Sequence, residues 1–137
     1  MSISHMLLLF TTVGLIASIL GYLDYRSGGS LCPSSLSLVS CSRVYTIPQA
    51  TILGVHLSEV APAYFTLLTA TLAAYTALKR RLLIEAHALL SIAGLTLIPY
   101  LVYLELAVAK AICIYCTVMH VCIIGSSATH LYRLLRL

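Results

Sequence analysis

Residues 107–129 read AVAKAICIYCTVMHVCIIGSSAT, an apolar run carrying one charged side chain, Lys110. Its length matches the roughly 20 residues that a helix needs to cross a bilayer core of about 30 Å. Three stretches of the same kind lie upstream, at 3–23, 57–78 and 82–104. The pattern predicts an all-α integral membrane protein: a bundle of four transmembrane helices forming a single membrane domain over 1–137. Composition agrees, with 61% of the 137 residues hydrophobic and 9% charged, where a soluble domain has about 45–50% and 25%. A cytosolic globule is excluded, and so is a disordered chain, which would be polar.

The net charge of +4 does not point to nucleic acid. Lys79, Arg80 and Arg81 form the only tight cluster, and Arg133 and Arg136 stand at the tail. An up-and-down order of four helices brings all five to one side, the way a multi-pass protein of the cell membrane marks its cytoplasmic face. Both termini are therefore expected inside. Arg26, Arg43 and Lys110, partly offset by Asp24 and Glu105, fall outside. The first run has no Lys or Arg before it and no A-x-A site after it, so it reads as a helix rather than a cleaved leader.

The only long connection, 24–56, is then an outer loop, marked by Ser27-Gly28-Gly29-Ser30 and further serines. Within it Thr46 has the chemistry of an N-cap and Pro48 suits a first helical turn. An interfacial half-helix is expected over 49–54. Pro99 is expected to kink the third helix. Glu85 should pair with Arg81, with His87 snorkelling beside them. His56 and Glu59 read as interfacial, or alternatively as a proton relay. Tyr22, Tyr25, Tyr64, Tyr100 and Tyr103 read as an interfacial aromatic belt.

Four of the five cysteines fall into two close pairs. Cys113-Ile114-Tyr115-Cys116 is a C-x-x-C expected one to two turns inside the fourth helix, both sulfurs on one face. The helix N-terminus and Lys110 should favour a thiolate there, making Cys113 the more reactive thiol. A bridge across three residues constrains little chain entropy, so such a pair makes more sense as redox equipment than as a staple. Cys32 and Cys41 sit in the serine-rich loop and are free to pair with each other, with the helical pair or with another chain. Two structural bridges, or one zinc bound by four thiolates, are the competing readings. Cys122 has no sequence partner and reads as packing.

Together, Cys32, the string Cys41-Ser42-Arg43-Val44-Tyr45, Gly54 and the Cys113-Ile114-Tyr115-Cys116 motif resemble the vitamin K epoxide reductase family over essentially the whole chain. The resemblance implies a four-helix bundle around a quinone pocket near the outer face. It further implies that a reduced thioredoxin-like partner attacks through Cys32, that Cys41 exchanges with Cys113, and that Cys116 faces the quinone and delivers two electrons. The positions matching the family's quinone contacts are Tyr45, Thr46, Ile47 and His120. Two of these depart from the pattern: Ile47 stands where many members have serine, with Thr46 beside it, and His120 replaces a tyrosine. The chain also has no asparagine, whereas the animal enzymes use one on the second helix.

The expected function is that of a membrane thiol:quinone oxidoreductase. It would re-oxidise a separate extracytoplasmic, DsbA-type protein and pass electrons to a lipid quinone, menaquinone- or ubiquinone-like, so supporting disulfide formation. A DsbA-type partner lies near about −120 mV, which calls for an acceptor of comparable or higher potential. The alternatives are reduction of vitamin K epoxide itself and a non-enzymatic zinc-binding four-helix protein.

Overall fold

The computed structural model describes residues 1–32 and 38–137. Four long helices dominate it: α1 (Ile3–Arg26), α3 (Leu57–Leu78), α4 (Arg81–Tyr103) and α5 (Ile114–Leu135). All four are long and apolar enough to cross a membrane. Within the connection between α1 and α3 lie a short helix, α2 (Cys41–Tyr45), a 3-10 turn (Pro48–Ala50) and a two-stranded hairpin, β1 (Thr51–Ile52) with β2 (Val55–His56). The result is an all-α, four-helix membrane bundle.

The helices run up and down, α1 packing on α3 and α5, and α4 packing on the same two. Small residues let them approach closely. A Cβ at Gly14 would fall on the ring of Phe65, and one at Gly94 on the hydroxyl of Tyr64. Phe65, Leu68, Ile98, Cys122 and Ile123 form the central core, so Cys122 is packing material as its isolation suggests. Ile16, Leu89 and Leu131 point outward, each more than half exposed, as lipid-facing side chains should be. Helix α4 passes through Pro99 without ending.

Several boundaries differ from the sequence reading, the first span running on to Arg26 and the fourth to Leu135. The third span does not stop at 104: a π-helical turn, Leu104–Ala109, carries it to Lys110, which takes a left-handed conformation (φ 52°) and ends it. A buried carboxylate at Glu105 looks from sequence like an exposed loop charge, and that is why the span is read short. The fourth helix starts correspondingly late, at Ile114 rather than 107. The expected half-helix over 49–54 is absent. Thr46 closes α2, its hydroxyl donating to the Arg43 carbonyl (3.2 Å), and Pro48 opens only a 3-10 turn. β-Branched Thr51, Ile52 and Val55 around a Leu53-Gly54 turn, both at positive φ, favour a hairpin over a helix.

At the basic end the Arg81–Glu85 pair forms as expected, at 2.6 Å and exposed. His87 does not snorkel beside it. It is 0% exposed and turned into the bundle.

Candidate functional site

The redox groups are assembled by a backbone zip between the loop and the segment before α5. Val39 pairs in parallel with Ile112. The Ile112 N–H donates to the Leu38 carbonyl (2.7 Å) and the Ser40 N–H to the Ile112 carbonyl (3.2 Å). The next residues on the two sides are Cys41 and Cys113. Both are buried in one cluster with Val44, Tyr45, Ala109 and Ala111, against which Cys32 and Cys116 pack. All four cysteines of the two sequence pairs therefore meet at one end of the bundle, opposite the basic end that carries Lys79, Arg80 and Arg81.

Cys32 and Cys41 are joined in a disulfide, whereas Cys113 and Cys116 are thiols. Cys32 is half-buried and Cys41 is buried, so Cys32 is the more accessible of the two. Cys113 is not inside α5 but is its N-cap. Its N–H donates to the Glu105 carboxylate (3.1 Å). The Cys113 thiol is drawn below the ordinary cysteine range, chiefly by a hydrogen bond from Cys116, with burial opposing it and Tyr45 assisting. Cys113 thus stands at the helix N-terminus with the Cys116 thiol as its hydrogen-bond donor, while Lys110 is exposed.

Tyr45, buried, places its hydroxyl between the two redox pairs. It donates to Asp24 Oδ2 at 2.7 Å and lies 3.9 Å from Cys113 Sγ. Burial first, and the Asp24 bond second, raise the phenol far above its ordinary value, so it remains a proton donor. Asp24 is 0% exposed. It also accepts the Leu31 N–H (2.8 Å), and its carboxylate lies within 4.8 Å of the sulfurs of Cys32 and Cys41. Those three groups have the spacing of a metal site, but a disulfide offers no thiolate to an ion.

His56 is buried and makes no hydrogen bond to Glu59, which is exposed. It caps α3, Nδ1 accepting the Ser58 N–H (3.1 Å). That leaves Nε2–H to donate to the Tyr45 carbonyl, also at 3.1 Å. Burial lowers its pKa, which keeps it neutral in this role. Tyr25 stacks on its ring at 4.1 Å, which ties this tyrosine into the loop's packing.

Below the cysteines opens a cavity of about 330 Å³. Its walls are mostly carbon, from Ile47, Leu90, Leu97, Leu101, Met119 and Ile123 among others, and its polar groups include Tyr45, Tyr64, Glu105, Cys116 and His120. Tyr64 donates to the Leu90 carbonyl at 2.8 Å. His120 Nδ1 stands 3.9 Å from Glu105 Oε1. Of the residues matched to quinone contacts, Tyr45, Ile47 and His120 line this cavity. Thr46 is exposed and does not. An apolar chamber with a few convergent polar groups has the make-up of a site for a small hydrophobic molecule.

The profile of the vitamin K epoxide reductase family matches residues 5–131. The chain belongs to that family. No curated protein and no solved structure matches it. As a vitamin K epoxide reductase family protein it is a membrane redox protein of the class that handles thiols and quinones.

Asp24 and Glu105 were missed by the sequence reading, which counted both as loop charges. The available signal was that a carboxylate in an apolar run is a functional candidate by default. Ending the first and third spans too early removed Asp24 and Glu105 from those runs.

Proposed function

We propose that the protein is a membrane thiol:quinone oxidoreductase that re-oxidises an extracytoplasmic thioredoxin-like, DsbA-type protein, with both termini in the cytoplasm. The observation that carries this reading is the convergence of a loop disulfide, a reduced C-x-x-C and an apolar cavity at one end of the bundle. A lipid quinone, menaquinone- or ubiquinone-like, supplies the two-electron acceptor, held among Tyr45, Ile47, Tyr64, His120 and Cys116.

Electron flow follows from access. The partner's thiolate attacks Cys32, the more accessible sulfur, and Cys41 leaves as a thiolate. The partner's second thiol resolves the mixed disulfide, so the partner departs oxidised and the loop holds two thiols. Cys41 then attacks Cys113 in the oxidised helical pair, releasing Cys116, and Cys32 closes on Cys41. This returns the loop disulfide with Cys113 and Cys116 reduced, the arrangement seen here. Re-oxidation of that pair passes its two electrons onward from Cys116. Asp24 takes up the proton of whichever loop thiol is attacking, and Tyr45 relays between Asp24 and Cys113. Glu105 fixes the Cys113 backbone and, with His120, holds a proton beside Cys116.

The test is anaerobic quinone reduction by the purified protein, comparing wild type with Cys116→Ala and Cys32→Ala. Activity with a small dithiol should need Cys116, and activity with a protein donor should need both. Equal inertness of all three proteins, with stoichiometric zinc bound, would replace this reading by the zinc-protein one.

A further inference from the structure

A second polar cluster lies at the opposite, basic end of the bundle and is unused by the mechanism above. His87 of α4 and His130 of α5 are 0% and 2% exposed, and His87 Nδ1 meets His130 Nε2 at 2.7 Å. One turn deeper, Ser91 and Ser126 join their hydroxyls at 3.0 Å, and Ser127 donates to the Ser91 carbonyl at 3.1 Å. Ser91 adjoins Leu90, and Ile123 lies three residues from Ser126. Leu90, Gly94 and Ile123 all line the cavity. Arg133, one turn from His130 toward the basic end, faces it electrostatically.

The outer atoms of this histidine pair are unpartnered among the described residues: His87 Nε2, His130 Nδ1 and, beside them, Arg133 Nε are buried with no hydrogen-bond partner. A neutral imidazole carries one N–H and one bare nitrogen. In an Nδ1···Nε2 pair the two inner nitrogens use one of each. The two outer nitrogens are then always one donor and one acceptor, whichever tautomer is present. A proton accepted at one end and another released at the far end converts one arrangement into the other. Leaving such groups unsatisfied in a bundle interior costs free energy. Open buried polar atoms of this kind are where interior water is held.

The pair sits six residues from the start of α4 and five from the end of α5, about 8–9 Å inside the basic end at 1.5 Å per residue. Above it, the serines bring the polar file to within one turn of the cavity wall.

We propose that His87 and His130 form a proton-conducting pair that feeds the cavity from the basic face, so that turnover moves charge across the membrane. This rests on the thiol:quinone reading. Oxidation of two donor thiols to a disulfide releases two protons at the loop face and two electrons into the protein. Reduction of one quinone to quinol takes up those two electrons and two protons. When the quinol's protons come through the histidine pair, two protons vanish from the basic side and two appear on the loop side for each disulfide made.

The experiment uses the full-length protein in vesicles with a pH dye in the lumen, valinomycin and potassium to clamp the potential, decylubiquinone in the bilayer, and glutathione added outside. Glutathione does not cross the bilayer, so only molecules with the loop outward turn over. The lumen should alkalinise by two protons per quinone reduced. In His87→Phe and, separately, His130→Gln, quinone reduction should continue with protons from the loop face while lumenal alkalinisation falls about 100-fold, the scale of a lost proton-transfer group. Turnover without alkalinisation in the wild type overturns this inference and leaves the thiol:quinone reading standing. Absence of turnover overturns both. Nitrogen-15 spectra of histidine-labelled protein supply a readout independent of turnover. An N–H···N coupling between the rings supports the pair, and its absence in the folded wild type overturns it.

Discussion

Asp24→Asn is the substitution that most directly probes how the loop pair hands electrons to the helical pair. The Asp24 carboxylate accepts the Tyr45 hydroxyl at 2.7 Å and the Leu31 N–H at 2.8 Å, in a fully buried position. Asparagine has almost the same shape but only one acceptor oxygen, so one of these two donors must face an amide N–H. A hydrogen bond to a charged group is worth about 1.5–3 kcal/mol. Losing one therefore slows exchange by roughly 10–150-fold, at 1.36 kcal/mol per factor of ten, if the loss falls on the assembled state. Fully reduced protein mixed anaerobically with quinone separates the steps. The first equivalent leaves Cys113 and Cys116 directly, and the second must come from Cys32 and Cys41. Asp24→Asn should keep the first phase and slow only the second. Tyr45→Phe should do the same, and the double variant should be little worse than either single one, because both remove one coupled unit. Two wild-type phases in Asp24→Asn would refute the assignment. Loss of both would place the defect in folding.

In a Cys122→Ser background, Cys116→Ala should remove the hydrogen bond that stabilises the Cys113 thiolate. The folded-state pKa, lowered in the wild type, rises, and the pH midpoint of Cys113 alkylation moves upward; an unmoved midpoint would show that Cys116 does not set it. Gly94→Ala places a methyl on the Tyr64 hydroxyl and turns that ring off the Leu90 carbonyl. The KM for quinone should rise about tenfold, the scale of one misplaced methylene in an apolar pocket, with kcat changing less. Phe65→Ala empties the site where the ring lies against Gly14 and should lower stability by about 3–5 kcal/mol, read from denaturant titration in detergent.

What could be read from sequence divides by the kind of physics involved. The four spans follow from the requirement that a lipid-crossing chain be apolar and satisfy its own backbone, which local composition reports directly. The cysteine pairs were legible because their spacing is itself the signal. The ends of the spans were not. Asp24 and Glu105 look like loop residues until tertiary structure supplies their partners, Tyr45 and Leu31 for one, the Cys113 N–H and His120 for the other. The π-helical turn follows from that same tertiary pairing and has no local sequence rule. His56 was visible as a polar residue at a helix start, but its cap, its stack on Tyr25 and its bond to Tyr45 depend on a hairpin that local propensity alone made hard to tell from a half-helix.

The distribution of buried polar groups gives a reason for the polarity of the bundle. An ionisable side chain in a membrane interior costs several kcal/mol unless paired, and apolar replacements of similar volume are often more stable. This chain nevertheless places Asp24, Glu105 and His120 around the thiols at one end and His87 and His130 at the other, with Phe65, Leu68, Ile98 and Ile123 between them. Stability alone would have filled both ends with carbon. Under the proposed reading the separation is useful in itself: sulfur chemistry and its released protons stay at the loop face. Carbon elsewhere in the middle leaves the Ser91–Ser126 pair as the polar path, among the described residues, between the histidines and the cavity wall. Protons then reach the quinone along one file, so the carbon around it is as much a part of the machine as the cysteines are.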